Sequence, residues 1–314
     1  MNIFQKNTFY SLLLMLAVIA FNAPAFAAET YQLRNQYQKG QTAYLILNTT
    51  TEGVTTIGEN QLKINNGINI TLSFETAQVD PPDTATVNMD IKKMEMTEGT
   101  PGMMRSQDMK KMLKMDDVKY TYKINALGKV LESPKKSDSK GLGQTMMSPG
   151  GQNPNERMPW LPFPGKAVAI GDSWNDTRTV PIPGTSKPIV LHATYTLASV
   201  SEKNGDKIAR IDIQSQILEK DVKVDPAAAG ENLGKVEIKF VFKEYTSIAK
   251  GTCEFSLTKG HLISLEDAST MKISLGQETK VNDASFPSNF VHDYKVFTVG
   301  RYAESLPDAT PEKR

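Results

Sequence analysis

One cysteine and three histidines are all that this chain of 314 residues carries of the side chains most used in redox, metal and nucleophilic chemistry. A lone Cys253 cannot close an internal disulfide, so stability has to come from the core. It alternates with large apolar residues in Cys253-Glu-Phe255-Ser-Leu257, the setting of a small buried hydrophobe rather than a reactive thiol. His192, His261 and His292 have no other histidine, cysteine or carboxylate at the spacing of a zinc motif. All three are read as surface residues, His192 on the polar side of a strand and His261 after a hairpin glycine. Gly171-Asp-Ser173-Trp lacks the second glycine of a hydrolase elbow and precedes a strand, where the elbow needs a helix. Asp80-Pro-Pro-Asp83 and the stretch Asp221 to Asp225 lack the ligand spacing and turn glycine of a calcium loop. Asp90 and Asp212, taken as matching positions of two similar halves, are read as solvated carboxylates on the polar sides of their strands. The sequence therefore nominates no catalytic residue, no metal site and no cofactor.

Net charge is also missing. The chain opens with Lys6, an apolar run from Phe9 to Phe21 and the exit Ala25-Phe26-Ala27, the layout of a Sec-type signal peptide over residues 1–27. The apolar run is shorter than the roughly 20 residues a membrane-spanning helix needs. No stable span is expected after cleavage, and the expected location is the periplasm or the medium of a bacterium. No cysteine follows the exit, which excludes a lipoprotein signal. Removal of residues 1–27 takes away Lys6 and no acid, leaving 35 basic side chains against 35 acidic ones. A neutral chain has no net field to gather phosphate backbones, so nucleic acid is not an expected partner.

What is present is strand periodicity. Ile68, Ile70, Leu72 and Phe74 alternate with polar residues, as do Val118-Tyr120-Tyr122-Ile124 and Ile189-Leu191-Ala193-Tyr195-Leu197. The pattern recurs at Ala209-Ile211-Ile213 and Val236-Ile238-Phe240-Phe242. Turn signals stand between the runs at Asn65-Asn66-Gly67, Leu127-Gly128-Lys129, Asn204-Gly205-Asp206 and Lys259-Gly260-His261; Asn and Gly tolerate the positive φ of tight hairpins. The expected fold class is all-β, with two repeated, curved antiparallel sheets, half-barrel or barrel-like, and one short helix. A first unit spans 28–132 and a second 164–302, related by the match of Phe74 to Val79 with Tyr195 to Val200. Residues 133–163, rich in Pro, Gly and Ser, form the expected linker, which ends in an extended apolar Met158-Pro-Trp160-Leu-Pro-Phe163-Pro segment that should lie against a sheet without joining its ladder. Residues 303–314 are a polar tail.

The second unit opens with Pro164-Gly-Lys-Ala-Val168-Ala-Ile-Gly171-Asp-Ser-Trp174. This Pro-rich entry into Val-x-x-Gly-Asp-x-Trp resembles a family of uncharacterised bacterial exported proteins, a domain of unknown function. The resemblance implies export and strands closing in a glycine hairpin, but no activity. The first unit departs from the pattern, with Ala43 in the place of Trp174. In strand rhythm alone the chain is similar to the curved sheets of LolA-like lipoprotein carriers.

Methionine is conspicuous. Eight of the fourteen, Met89, Met94, Met96, Met103, Met104, Met109, Met112 and Met115, fall in one stretch of the first unit. Ser106 is placed to cap a helix over 107–115 with Met109, Met112, Leu113 and Met115 along an apolar side and three lysines opposite. Flexible, polarizable thioethers suit an adaptable apolar surface. The leading expectation is therefore a non-catalytic, exported binding protein. It would hold an apolar ligand, a lipid or a lipidated partner, between the curved sheet and this helix, at Met94, Met96, Met109, Met112, Leu113, Met115 and Trp174. Two alternatives use the same residues differently: soft-metal binding of copper by the thioethers, and a structural scaffold that meets protein partners.

Overall fold

The computed structural model describes residues 29–97, 119–132, 161–180, 187–224, 236–281 and 284–306. Compactness divides the chain at Thr30, and Tyr31–Arg314 form a single unit. Its strands are β1 (Thr30–Tyr31), β2 (Thr42–Ile57), β3 (Asn60–Asp80), β4 (Thr84–Thr97), β5 (Lys119–Asn125), β6 (Val130–Glu132), β7 (Val168–Ala169), β8 (Ser173–Val180), β9 (Ile189–Lys203), β10 (Asp206–Val224), β11 (Val236–Ser256), β12 (His261–Val281) and β13 (Ala284–Ala303). Among the described residues there is no helix. The expected helix over 107–115 and the linker residues 133–160 lie outside the described residues.

The all-β class holds, but the expected division into two sheets does not. Eleven strands form one antiparallel sheet in the order β6-β5-β4-β3-β2-β13-β12-β11-β10-β9-β8, and β1 with β7 forms a separate two-stranded ladder. The join is β2 with β13, paired from Tyr44 with Ala303 to Ile57 with Phe290. Each unit alone would leave that edge bare, and pairing the two edges satisfies a long row of backbone donors and acceptors at once. The sheet ends at β6 and β8, which do not pair with each other, so it is not a barrel.

One expected turn is also displaced. Asn65-Asn66-Gly67 runs straight through β3, opposite Glu52, Thr51 and Thr50. The chain instead reverses at Gly58, in the left-handed region at φ 59°. Pairing of Val54–Ile57 with Asn60–Lys63 extends the ladder past the Asn pair, so tertiary pairing overrides local turn preference. The other three turns form as expected, with positive φ at Gly128, Asn204, Gly205 and Gly260.

Both core clusters lie on one face of the sheet. The first gathers Leu45, Leu72, Phe74, Val87, Met89, Tyr122 and Ile124. The second gathers Leu33, Phe163, Val168, Tyr195, Leu197, Ile211, Cys253 and Phe255, and Tyr302 packs against both. Two irregular segments fill the space between them. Successive amides of one segment reach opposite sides of the sheet: Asn35 N–H donates to the Ala126 carbonyl at 2.7 Å and Gln36 N–H to that of Gly260 at 2.9 Å. In a flat sheet the β5 end and the β11–β12 turn would stand roughly 25 Å apart at about 4.8 Å per strand. Two residues in sequence cannot span that, so the sheet curls around this end, and the face bearing both clusters is the concave one.

The second segment, Leu161–Pro164, behaves as its prolines require. Phe163 N–H donates to the Leu127 carbonyl at 2.9 Å, and its ring meets Phe255 edge-on at 4.6 Å. Pro162 O accepts from the Trp174 indole N–H at 2.7 Å. The Val168–Trp174 motif thereby gains a structural account. Gly171 adopts φ 93°, Asp172 Oδ2 accepts the Ala169 amide at 2.8 Å, and Trp174 stacks on Tyr195 with centroids 5.7 Å apart.

The two halves share a local irregularity. Ala77 of β3 is left unpaired between Thr76 and Gln78, and Ala198 of β9 between Leu197 and Ser199. Each stands three residues after a core aromatic, Phe74 or Tyr195. Asp90 and Asp212 do not share a register: Asp90 pairs with Ser73, before Phe74, and Asp212 with Thr196, after Tyr195. Both lie on the convex side, so these two carboxylates do not face a cleft together.

Candidate functional site

Strand pairing lays the concave face out as cross-strand rows. One row runs Met94, Ile70, Leu47, Gly300, Leu265, Cys253, Ile211, Leu197 from β4 to β9. The next row away from the filled end reads Met96, Ile68, Thr49, Thr298, Asp267, Gly251, Ile213, Tyr195, Trp174. Beyond it stand Asn66, Thr51, Val296, Ser269, Ala249, Ser215 and Ala193, and then Ile64, Gly53, Tyr294, Met271, Ser247 and Ile217.

Read across, these rows describe a trough. Its floor, on β2, β13, β12 and β11, is mostly Thr, Ser, Ala and Gly, with Val296 and Asp267 among them. Its sides are apolar: Ile68, Ile70, Met94 and Met96 on one, Ile213 and Ile217 on the other. Met271, Ile273, Tyr245 and Tyr294 stand farther along the same face. Burial follows the same division. Leu45, Phe255, Leu197 and Ile211 at the filled end are at most 1% exposed, whereas Leu47, Ile68, Ile70, Met94, Met96, Ile213, Met271 and Ile273 are only half-buried. Thr55, Ile64, Ile189, Ala193, Ile217 and Val222 are buried farther out.

Of the residues the sequence nominated, Met94, Met96 and Trp174 lie on this face. Met96 and Trp174 stand in one row, nine strands from end to end. The Trp174 indole is engaged with Pro162 and Tyr195, so it anchors the Leu161–Pro164 segment. Met109, Met112, Leu113 and Met115 lie outside the described residues.

The polar groups of the concave face are mostly the hydroxyls of its floor. Near the far end Thr55 Oγ1 lies 3.0 Å from His292 Nδ1 and 2.7 Å from the Tyr294 hydroxyl, which is itself 2.8 Å from Nδ1. Burial lowers the His292 pKa. His261 stacks on Tyr302 at 5.6 Å, and its pKa is lowered by burial first and by Lys259 second. Neither is the free surface histidine that the sequence suggested, because both lie on or beside the inward side of a curled sheet. His192 is exposed, as expected. Charges at the trough margin are paired: Asp176 with Arg178, and Glu219 with Lys187 at 2.6 Å. Asp267 stands in the middle of the floor, and burial raises its pKa.

Among the described residues Ser256 and Cys253 are held in structural roles. Ser256 Oγ lies 2.7 Å and 2.8 Å from the two Asp206 carboxylate oxygens and accepts the Lys259 amide at 2.9 Å. That fully buried hydroxyl ties the β9–β10 and β11–β12 turns together. Burial pushes the Cys253 thiol up to about 12, which keeps it protonated and inert. Among the described residues no group of three or more His, Cys, Asp or Glu is placed to hold a metal ion. A cavity of about 60 Å³ between Tyr37, Phe74, Phe163, Phe255 and Tyr302 is the size of one or two waters. Among the described residues no helix is long and apolar enough to cross a membrane. Compared with known proteins, the chain matches no family model and no curated protein.

Proposed function

We propose that this is a non-catalytic exported binding protein that takes an apolar ligand, a lipid or a lipidated partner, on the concave face of its curled sheet. The observation that carries this reading is the change along the rows: the same inward-facing series that forms a filled core at one end continues as half-buried Ile, Leu and Met side chains around a floor of small residues. Apolar surface left unfilled on a concave face is where ligand binding is energetically favoured. The Met94 and Met96 thioethers on one side adapt to ligands of different shape. A scaffold acting through its sheet edges has less support, since the terminal strands β6 and β8 have three and eight residues. We also read the halves as copies of one ancestral unit, and the matching bulges at Ala77 and Ala198 support it.

Titration with a neutral phenyl-naphthylamine dye tests the binding reading. Saturable fluorescence enhancement is expected, weakened about tenfold or more by Ile68→Glu or Met96→Glu, since one buried charge costs more than 1.4 kcal/mol. Phe297→Glu, on the convex face, should leave the affinity unchanged. Absence of saturable binding, or equal loss from the convex variant, would reject the reading.

A further inference from the structure

We infer that the trough selects an apolar ligand bearing a cationic ammonium group, with Asp267 as the recognition point; this rests on the binding reading above. Among the described residues Asp267 is the one charged side chain of the concave face that makes neither an ion pair nor a hydrogen bond. The other charges of that face are matched in pairs at its margin. The groups that face Asp267 are Leu265 and Ser269 on its own strand, Gly251 on β11 and Thr298 on β13, and none titrates. The Thr298 hydroxyl is turned to Thr49 Oγ1 at 3.2 Å.

The local backbone makes room for this arrangement. A Cβ on Gly251 would stand 2.5 Å from the Glu266 carbonyl oxygen and 3.0 Å from Asp267 Oδ1. The carboxylate therefore leans over a position that glycine keeps bare, in the middle of the floor and flanked by Ile68, Met96 and Ile213 farther along the row. A half-buried carboxylate with no partner is unfavourable unless a cation meets it, and burial raises its pKa accordingly. An alkyl chain lying along the trough with an ammonium at this point would satisfy the apolar sides and the charge together. A fatty-acid anion of the same length would place like charges against each other and is disfavoured.

Decylamine and decanol, matched in chain length, separate this inference from the reading beneath it when each displaces the neutral dye at pH 7. Wild-type protein should bind decylamine about tenfold or more tightly than decanol. Asp267→Asn should abolish the preference while decanol affinity stays within about twofold, and Glu266→Gln, one residue along and on the convex face, should keep it. Equal affinities in the wild type, or a preference surviving in Asp267→Asn or lost in Glu266→Gln, would overturn the assignment of Asp267. Failure of decanol itself to displace the dye would instead bring down the binding reading, and this inference with it. The wild-type comparison stands even if the variants do not fold.

Discussion

The two ends of the curled sheet are built from the same strands and differ in what lies on them. At one end Leu33, Leu161 and Phe163 arrive from irregular segments and turn inward-facing residues into a core; Phe255 is 1% exposed there. A few residues farther along, Ile68, Ile70 and Met96 keep the same orientation yet remain half-buried. Alternation decides which way a side chain points. Whether it is covered depends on segments that carry no alternation at all.

Stability measurements can break this comparison. Phe255→Ala should cost about 3–5 kcal/mol in urea unfolding, through lost transfer energy and an unfilled cavity. Ile70→Ala, on the half-buried part of the trough, should cost only about 1–2 kcal/mol. Similar losses at the two sites would mean that the trough is packed as tightly as the core. A smaller effect is expected from Trp174→Phe, which removes the indole donor to Pro162 O but keeps the stacking on Tyr195. A loss of about 0.5–1 kcal/mol is expected, and a change near zero would show that the Leu161–Pro164 segment is held by packing alone.

The smallest effect concerns pH. Folding lowers the His292 pKa, so the folded state prefers the neutral ring, which contacts Thr55 and Tyr294 and stands opposite the apolar Ile273. Its contribution is present above the unfolded pKa of about 6.5 and is lost as pH falls through that value toward the lower folded one. Thermal melts at pH 7 and pH 5 should show a smaller decline for His292→Asn than for wild type. His261 retains its own contribution in both proteins, and an unchanged decline would remove His292 from the account.

Much of the fold was legible in the residues. The alternation at Ile189–Leu197 and Ala209–Ile213 predicted strands, and Ile189, Ala193, Tyr195, Leu197, Ala209 and Ile211 are seen buried. The glycine and asparagine turns at Gly128, Asn204-Gly205 and Gly260 needed only local chemistry. The single sheet was not legible, because β2 pairs with β13 through backbone groups about 240 residues apart in sequence, and side-chain periodicity does not record which edges meet. The Asn65-Asn66 turn failed for a related reason: ladder pairing extended past a locally favourable reversal. For the trough, Met94, Met96 and Trp174 could be nominated from residue type. Asp267 was missed although its signal was there, since Leu265, Asp267, Ser269, Met271 and Ile273 alternate and place an acid on the apolar side. The Thr55–His292–Tyr294 contact spans the β2–β13 join and had no signal that one strand could carry.

The neighbouring amides of Asn35 and Gln36 bear on how this molecule is made. Their acceptors, Ala126 and Gly260, lie about 90 and 220 residues downstream, so the start of the folded unit can be fastened to the first half early but to the second only when most of the polypeptide has emerged. Acquisition of native structure must then be a late and concerted event dominated by sequence-distant contacts, a topology that folds slowly. A nascent chain stalled before residue 260 would display sticky, half-matched ribbons with their first segment fastened on one side only.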